Sequence, residues 1–192
     1  MNRILVDPIH GRGVSSPEIR AWVCDYIVKT IKPRTVFDLG CGIGVYGAQL
    51  DKLQSDIRLI GLDVFLPYLL QDLVREHYAV QIHAHIESVI NQEININADL
   101  MICMDVIEHF PKGIAALILK MPGHMIVSTP LFDYYQLAVG GNTYEEHKCW
   151  FTEKELNEEY GFTTLCLFDH TSIDGQRGSI GAFERKEELC PT

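Results

Sequence analysis

The stretch from Thr35 to Asp63 places the strongest limit on the fold. It reads TVFDLGCGIGVYG, then a helix-like run, then RLIGLD. A β-branched and aromatic strand ends in the acid Asp38, glycines follow at alternating positions (Gly40, Gly42, Gly44), and a second apolar strand ends in another acid, Asp63. A chain that turns sharply from strand into helix needs backbone angles that side chains resist, and it leaves bare backbone against which a ligand can lie. The stretch therefore reads as one half-site for a nucleoside-bearing cofactor.

Two cofactors compete for it. Gly42, Gly44 and Gly47 spell G-x-G-x-x-G, and Asp63 follows about twenty residues on, as the dinucleotide fingerprint asks. On glycines alone, NAD stays open. Asp38 separates the two, because a pyrophosphate at a helix N-terminus wants N–H groups and positive potential, and a carboxylate just before the turn repels it. S-adenosylmethionine carries a sulfonium and an ammonium, which the same carboxylate attracts. Asp63, with Val64 beside it, suits ribose hydroxyls under either reading.

The second group of polar residues follows the run Ala98 to Met104, which is apolar almost throughout, as in a central parallel strand buried on both faces. Asp105, Glu108 and His109 come directly after it. In open α/β sheets ligands bind beyond that edge, so these residues point at the reaction zone; capping of the next turn is the competing role for Asp105. His109 has the side chain suited to proton transfer near neutrality. Leu131 to Trp150 then forms an unusually long connection rich in aromatic residues (Phe132, Tyr134, Tyr135, Tyr144, Trp150), with Gly140-Gly141 as a hinge. Residues 131–151 are expected to form a lid or substrate wall. His147 within it is a candidate base for a substrate hydroxyl, or a histidine that fixes the loop by hydrogen bonds.

The rest of the chain frames these segments. Residues 1–14 form an N-terminal arm in which Asp7 and His10 are placed to fold over the cofactor, or a loosely ordered terminus. Ser16, Pro17 and Glu18 announce a helix whose apolar face is Ile19, Trp22, Val23, Tyr26, Ile27 and Ile31, ended by Lys32-Pro33. Leu66 to Tyr78 reads as one helix, Val80 to Ala84 as a third strand, Pro111 to Met121 as a helix and Met125 to Ser128 as a strand. His83 and His85 are expected on one face of the third strand, a spacing some metal sites use, but no third ligand is evident and no metal is expected. Thr152 and Glu155 spell a capping box, Phe151 and Leu156 a hydrophobic staple, and Gly161 a stop. Thr163 to Asp169 and Ser179 to Arg185 make a final antiparallel hairpin around a polar loop, followed by a frayed tail from Glu187.

Three motifs in register resemble a known family. D-L-G-C-G-I-G (Asp38 to Gly44), the acid Asp63, and D-L-M-I-C-M-D-V-I-E-H (Asp99 to His109) are similar to motif I, the acidic loop and motif IV of the class I S-adenosylmethionine-dependent methyltransferases, over roughly residues 15–186. The resemblance implies an α/β fold: a doubly wound, mostly parallel, seven-stranded Rossmann-like sheet with a C-terminal antiparallel hairpin, in three α/β/α layers and one domain over residues 1–192. It implies S-adenosylmethionine as cofactor, held by Asp38, Gly40, Gly42, Gly44, Asp63, Val64, His85 and Asp105. The family usually places an acid for the adenine amino group after the third strand. Here that stretch is His83-Ala84-His85-Ile86-Glu87, so His85, a backbone group or Glu87 takes the contact. The Asn/Asp-Pro-Pro-aromatic signature of amino-methylating DNA enzymes is replaced by Asp105-Val106-Ile107-Glu108. The later pattern T-P, G-N, E-E-H-K-C-W-F, E-L and G-F resembles methyltransferases acting on sugars and other small hydroxylated metabolites, which implies O-methylation with His147 or His109 as the base. A non-catalytic regulator that binds the cofactor, and N-methylation of a small amine or protein assisted by Glu108 or Glu146, are the alternatives.

Composition narrows the partners. With 192 residues, 47% of them hydrophobic, one domain with a full core is expected. A formal net charge of -10 disfavours a nucleic-acid partner, whose binding relies on Lys and Arg displacing counterions. The start MNRILVDPIHGRG lacks an apolar signal core, and no run approaches the ~18 apolar residues of a membrane span. Six cysteines without C-x-x-C pairing fit reduced thiols, so a cytoplasmic protein acting on a small-molecule substrate is expected, with its oligomeric state open.

Overall fold

Val36 and Phe37 are neighbours in sequence and belong to opposite faces of one sheet. A computed structural model describes residues 16–94, 97–132, 136–138, 142–171 and 177–186. The expected N-terminal arm with Asp7 and His10, Tyr134 and Tyr135, the Gly140-Gly141 hinge, the tip of the last hairpin and the C-terminal tail lie outside these residues. Seven strands form the sheet: β1 (Thr35–Leu39), β2 (Arg58–Asp63), β3 (Val80–His83), β4 (Leu100–Met104), β5 (Met125–Pro130), β6 (Thr163–Thr171) and β7 (Arg177–Arg185). Their order is β3-β2-β1-β4-β5-β7-β6, parallel except for β7, which runs antiparallel to both β5 and β6. The order reverses between β1 and β4, where the crevice of a doubly wound sheet opens.

The period-two alternation of the strands feeds two cores. Val36, Leu59, Leu100, Ile102 and Ile126 turn to the face covered by α1 (Pro17–Tyr26), α2 (Val45–Leu53), α3 (Leu66–Leu69) and α4 (Asp72–His77). Phe37, Leu39, Ile60, Cys103 and Val127 turn to the face covered by α5 (Glu87–Ile90), α6 (Lys112–Leu119) and α7 (Glu153–Glu158). This is the expected three-layer α/β/α arrangement with its antiparallel hairpin. Among the described residues no helix is long and apolar enough to cross a membrane.

Three local expectations change. The apolar face of α1 is Ile19, Val23, Cys24 and Ile27, while Trp22 is exposed and stacks on Tyr26 at 5.3 Å. The helix then widens into a π turn over Ile27–Ile31, closed by Lys32 in the left-handed region (φ 55) and followed by Pro33, which has no amide to continue the helix. The predicted helix over 66–78 is two short helices, α3 and α4, with Gln71 extended between them. Leu69 is buried, yet Leu73, one turn on along a continuous helix, is exposed; the break instead lets Val74 and Tyr78 enter the core. At the other end the forecast holds: Thr152 and Glu155 form the capping box of α7, with Phe151 and Leu156 fully buried.

Tyr78 fixes the layer over the glycine turn. Its hydroxyl donates to Asp38 Oδ2 at 2.6 Å and accepts from Gly47 N at 3.1 Å, which satisfies an amide in the first turn of α2. A Cβ on Gly47 would stand 2.2 Å from the Tyr78 ring. Gly47→Ala is therefore expected to lower the free energy of unfolding by about 1–3 kcal/mol in urea denaturation, through overpacking. An alanine variant as stable as the parent overturns this account.

Candidate active site

The glycine turn between β1 and α2 is held by main-chain and carboxylate contacts. Gly40, Gly42 and Gly44 all take positive φ (77, 53 and 86), which only glycine adopts without strain. Gly40 N and Cys41 N both donate to Leu62 O, at 2.8 and 2.9 Å. Asp63, at the end of β2, accepts from Gly42 N through Oδ2 at 2.9 Å and from Phe65 N through Oδ1 at 2.8 Å. One side chain thus ties the turn after β1 to the turn after β2. Each carboxylate oxygen has a second lone pair for a ligand hydroxyl.

Across the crevice, Asp105 follows β4 with φ 55, uncommon for a residue with a Cβ and a mark of a constrained site. Ser128 at the end of β5 holds it twice: Asp105 N donates to Ser128 O at 3.0 Å, and Ser128 Oγ donates to Asp105 Oδ1 at 2.6 Å. A 3-10 turn, Ile107–His109, comes next and presents Glu108 and His109. The long connection after β5 folds back onto this turn. Lys148 N and Cys149 N donate to Glu108 O at 2.8 and 3.2 Å, and His147 N donates to Gln136 O at 3.1 Å. The His109 and His147 rings lie 5.0 Å apart, centroid to centroid.

Between the two sides lies a cavity of about 270 Å³ at the carboxyl ends of the parallel strands. Asp63, Glu87, Asp105 and Glu145 line it, together with the histidines His85 and His109. Lys148 is the only lysine or arginine among the described lining residues. Burial pushes the carboxyl of Glu145 up to about 7, opposed by a hydrogen bond from Tyr68 and reinforced by the charges of Asp63 and Asp105. Burial also raises Asp63, opposed by the amides of Phe65, Gly42 and Val64 and by His83, and holds Glu108 well above the usual carboxylate range, with the charge of Asp105 adding to the effect. Burial lowers His109 to about 4, so its imidazole is neutral at pH 7.

No protein-family model matches the chain, and no curated protein sequence matches it. Solved structures do. The chain is similar to the methyltransferase domain of bacterial CtHen1-C, with 22% identity over 88% of this chain and 97% of that one and a TM-score of 0.53. It is similar to magnesium protoporphyrin IX methyltransferase (ChlM) of Synechocystis PCC 6803 with bound S-adenosylhomocysteine, with 15% identity over 97% and 89% of the two chains and a TM-score of 0.60. A third is the 1,6-didemethyltoxoflavin-N1-methyltransferase of Burkholderia thailandensis, with 14% identity over 89% and 78% and a TM-score of 0.60. The fold is that of the class I methyltransferases. At these identities the likeness carries the fold and leaves the acceptor open.

Within this methyltransferase fold the residues singled out by sequence divide into two groups. Gly40, Gly42, Asp63, Val64, His85, Asp105 and His109 line the cavity. Asp38, Gly44 and His147 are not among the lining residues. Asp38 is buried at 2% exposure under the Tyr78 hydroxyl, Gly44 packs its backbone against Val74, and His147 stands behind His109. Asp38, on which the sequence expectation of a cationic ligand rested, therefore lies beneath the cavity, whose wall carries the carboxylates of Asp63, Glu87, Asp105 and Glu145. His83 closes β3, is exposed and bonds Val64 O at 3.0 Å, while His85 lies past the strand end, edge-on to Tyr144 at 5.9 Å. The two histidines do not share a strand face, because β3 ends between them. Sequence reasoning assigned no individual role to Asn142, Glu145 and Lys148; their signal was membership of the long connection and of its G-N and E-E-H-K-C-W-F pattern. Glu87 was one of three candidates for the adenine contact, and its Oε2 is buried without a hydrogen-bond partner.

Asp38 also predicts a pH dependence. Burial raises its carboxyl from 3.8 to about 7, with the Tyr78 hydroxyl opposing and the Asp63 charge adding. Because the folded value lies above the unfolded one, the stability it contributes is complete below 3.8 and is lost as pH rises through about 7. The melting temperature is expected to fall between about pH 4 and pH 8. Asp38→Asn, which keeps an uncharged acceptor for Tyr78, is expected to flatten part of that slope. An equally steep fall in the variant overturns the assignment.

Proposed function

We propose that this chain is a methyltransferase that takes its methyl group from S-adenosylmethionine and transfers it to a hydroxyl of a small-molecule acceptor. The observation that carries the proposal is the acidic cavity at the switch point of a class I methyltransferase fold: Asp63, Glu87, Asp105 and Glu145 on the wall against one lysine, Lys148, among the described lining residues. Such a wall attracts a sulfonium and an ammonium and repels the pyrophosphate of a dinucleotide.

The residues fit an adenosyl ligand. Asp63 would take the ribose hydroxyls with its remaining lone pairs. Glu87 would accept from the adenine amino group through Oε2, an atom that is buried and unpaired; a ligand donor there removes a desolvation cost of roughly 1–3 kcal/mol. Gly40 and Gly42 would let the ligand approach the backbone. When bound, S-adenosylmethionine supplies a methyl group already activated by the positive sulfur. The remaining task for the chain is alignment of the acceptor at near-attack distance. His109 and Lys148, on the Asp105 side of the cavity, mark the acceptor end, and the segment 142–148 closes it off. Hydrogen-bond acceptors there, the neutral His109 imidazole among them, favour an acceptor that arrives with a proton to lose, as a hydroxyl does.

Isothermal titration with S-adenosylhomocysteine and with NADH tests the cofactor. Binding of the former and none of the latter is expected, with Glu87→Gln weakening it about tenfold. Incubation with S-adenosylmethionine and a pool of hydroxylated metabolites should give a product heavier by one CH₂ in mass spectrometry. Preference for NADH, or no binding of S-adenosylhomocysteine, overturns the proposal.

A further inference from the structure

Glu108, His109 and His147 each offer a ligand atom, and these three atoms lie within 4.8 Å of one another. Glu108 and His109 come from the 3-10 turn after β4, and His147 comes from the connection after β5. The two segments are fastened together by main chain: Lys148 N and Cys149 N hold Glu108 O, and His109 Nδ1 faces Glu146 O at 3.4 Å. The fastening fixes the spacing of the three side chains. Donation of the Nδ1 proton to that carbonyl leaves the lone pair on Nε2, the arrangement that orients metal-bound histidines.

Glu108 supplies a second observation. Its residue is only 2% exposed, its carboxyl accepts from Thr129 Oγ1 at 3.1 Å and from its own backbone amide, and no Lys or Arg pairs with it among the described residues. A buried carboxylate without an opposing charge is costly, and a coordinated cation offsets that cost. One carboxylate and two imidazoles held by a folded scaffold are a donor set for first-row divalent ions. Calcium and magnesium prefer oxygen alone.

We propose that Glu108, His109 and His147 bind a divalent first-row transition ion whose open positions face the cavity through His109. What the ion does there rests on the methyl-transfer reading; that it binds does not. Its open positions take the acceptor hydroxyl, and adjacent oxygens of a polyhydroxylated small molecule chelate it. Coordination lowers the pKa of the bound hydroxyl as it does for bound water. The O–H bond then breaks with the proton leaving to solvent, the oxygen forms a bond to the methyl carbon, and the carbon–sulfur bond breaks with its electron pair returning to a neutral sulfur. The two histidines serve proton loss through the ion in place of taking the proton themselves.

Cobalt(II) titration of the metal-stripped protein, without S-adenosylhomocysteine, tests the site. One equivalent is expected to bind with visible d–d bands. Glu108→Gln and His147→Ala should each weaken binding by at least about tenfold. His77→Ala, at a surface histidine paired with Asp51, should leave it unchanged. Thermal melts of the variants and their titration with S-adenosylhomocysteine report the fold and the cofactor half separately. Absence of d–d bands, or cobalt affinity unchanged in Glu108→Gln and His147→Ala, overturns the metal site even where S-adenosylhomocysteine binds. Cobalt binding lost in these two variants upholds the site even where S-adenosylhomocysteine fails to bind, an outcome that removes the methyl-transfer reading alone.

Discussion

The Asp63 carboxylate, clasped by the amides of Gly42 and Phe65, is the contact on which the crevice depends. Parallel strands leave their carboxyl ends side by side with no hairpin to connect them, so the turns that follow them need a tie of another kind. Asp63 provides it with two charge-assisted hydrogen bonds, the stronger sort. The left-handed glycines let the turn after β1 come within reach of that carboxylate, and Leu62 O completes the clasp from the same strand. On the far side, Ser128 plays the corresponding part for Asp105.

Charge accumulates around this crevice against the tendency of the fold. Asp38, Asp63, Glu108 and Glu145 are all buried and all raised above their ordinary pKa values, each mainly by burial. Hydrogen bonds from Tyr78, Thr129, Tyr68 and the backbone recover only part of the cost. A protein keeps such a cluster at the expense of stability, and its position at the one place where a doubly wound sheet takes ligands ties that expense to binding.

The half of the fold read most easily from the sequence is the one written in local pattern. Strand, glycine turn, helix and strand between Thr35 and Asp63 announce themselves within thirty residues, as does the capping box at Thr152, because each rests on backbone geometry that few residue types allow. Tertiary packing decided what local pattern missed. Helix periodicity at 66–78 gave no hint that Gln71 would leave the helix, since exposure of Leu73 depends on what lies opposite. Asp38 sits at the right strand end for a ligand contact, yet Tyr78, forty residues on, covers it. The grouping of Glu108 and His109 with His147 joins segments on either side of β5 and has no spacing signature. The acidic wall contributed by Glu145 needed the folded path of the connection as well.

The connection between β5 and α7 is anchored to the Glu108 carbonyl through Lys148 N and Cys149 N, and across the crevice Tyr68 of α3 hydrogen-bonds its Glu145. One wall of the crevice is therefore built from β1 to β3 and the other from β4, its turn and this single loop. A lineage that exchanged residues 142–148 for a new acceptor would reshape one wall only, provided the replacement kept a partner for the Tyr68 hydroxyl that reaches across from the other.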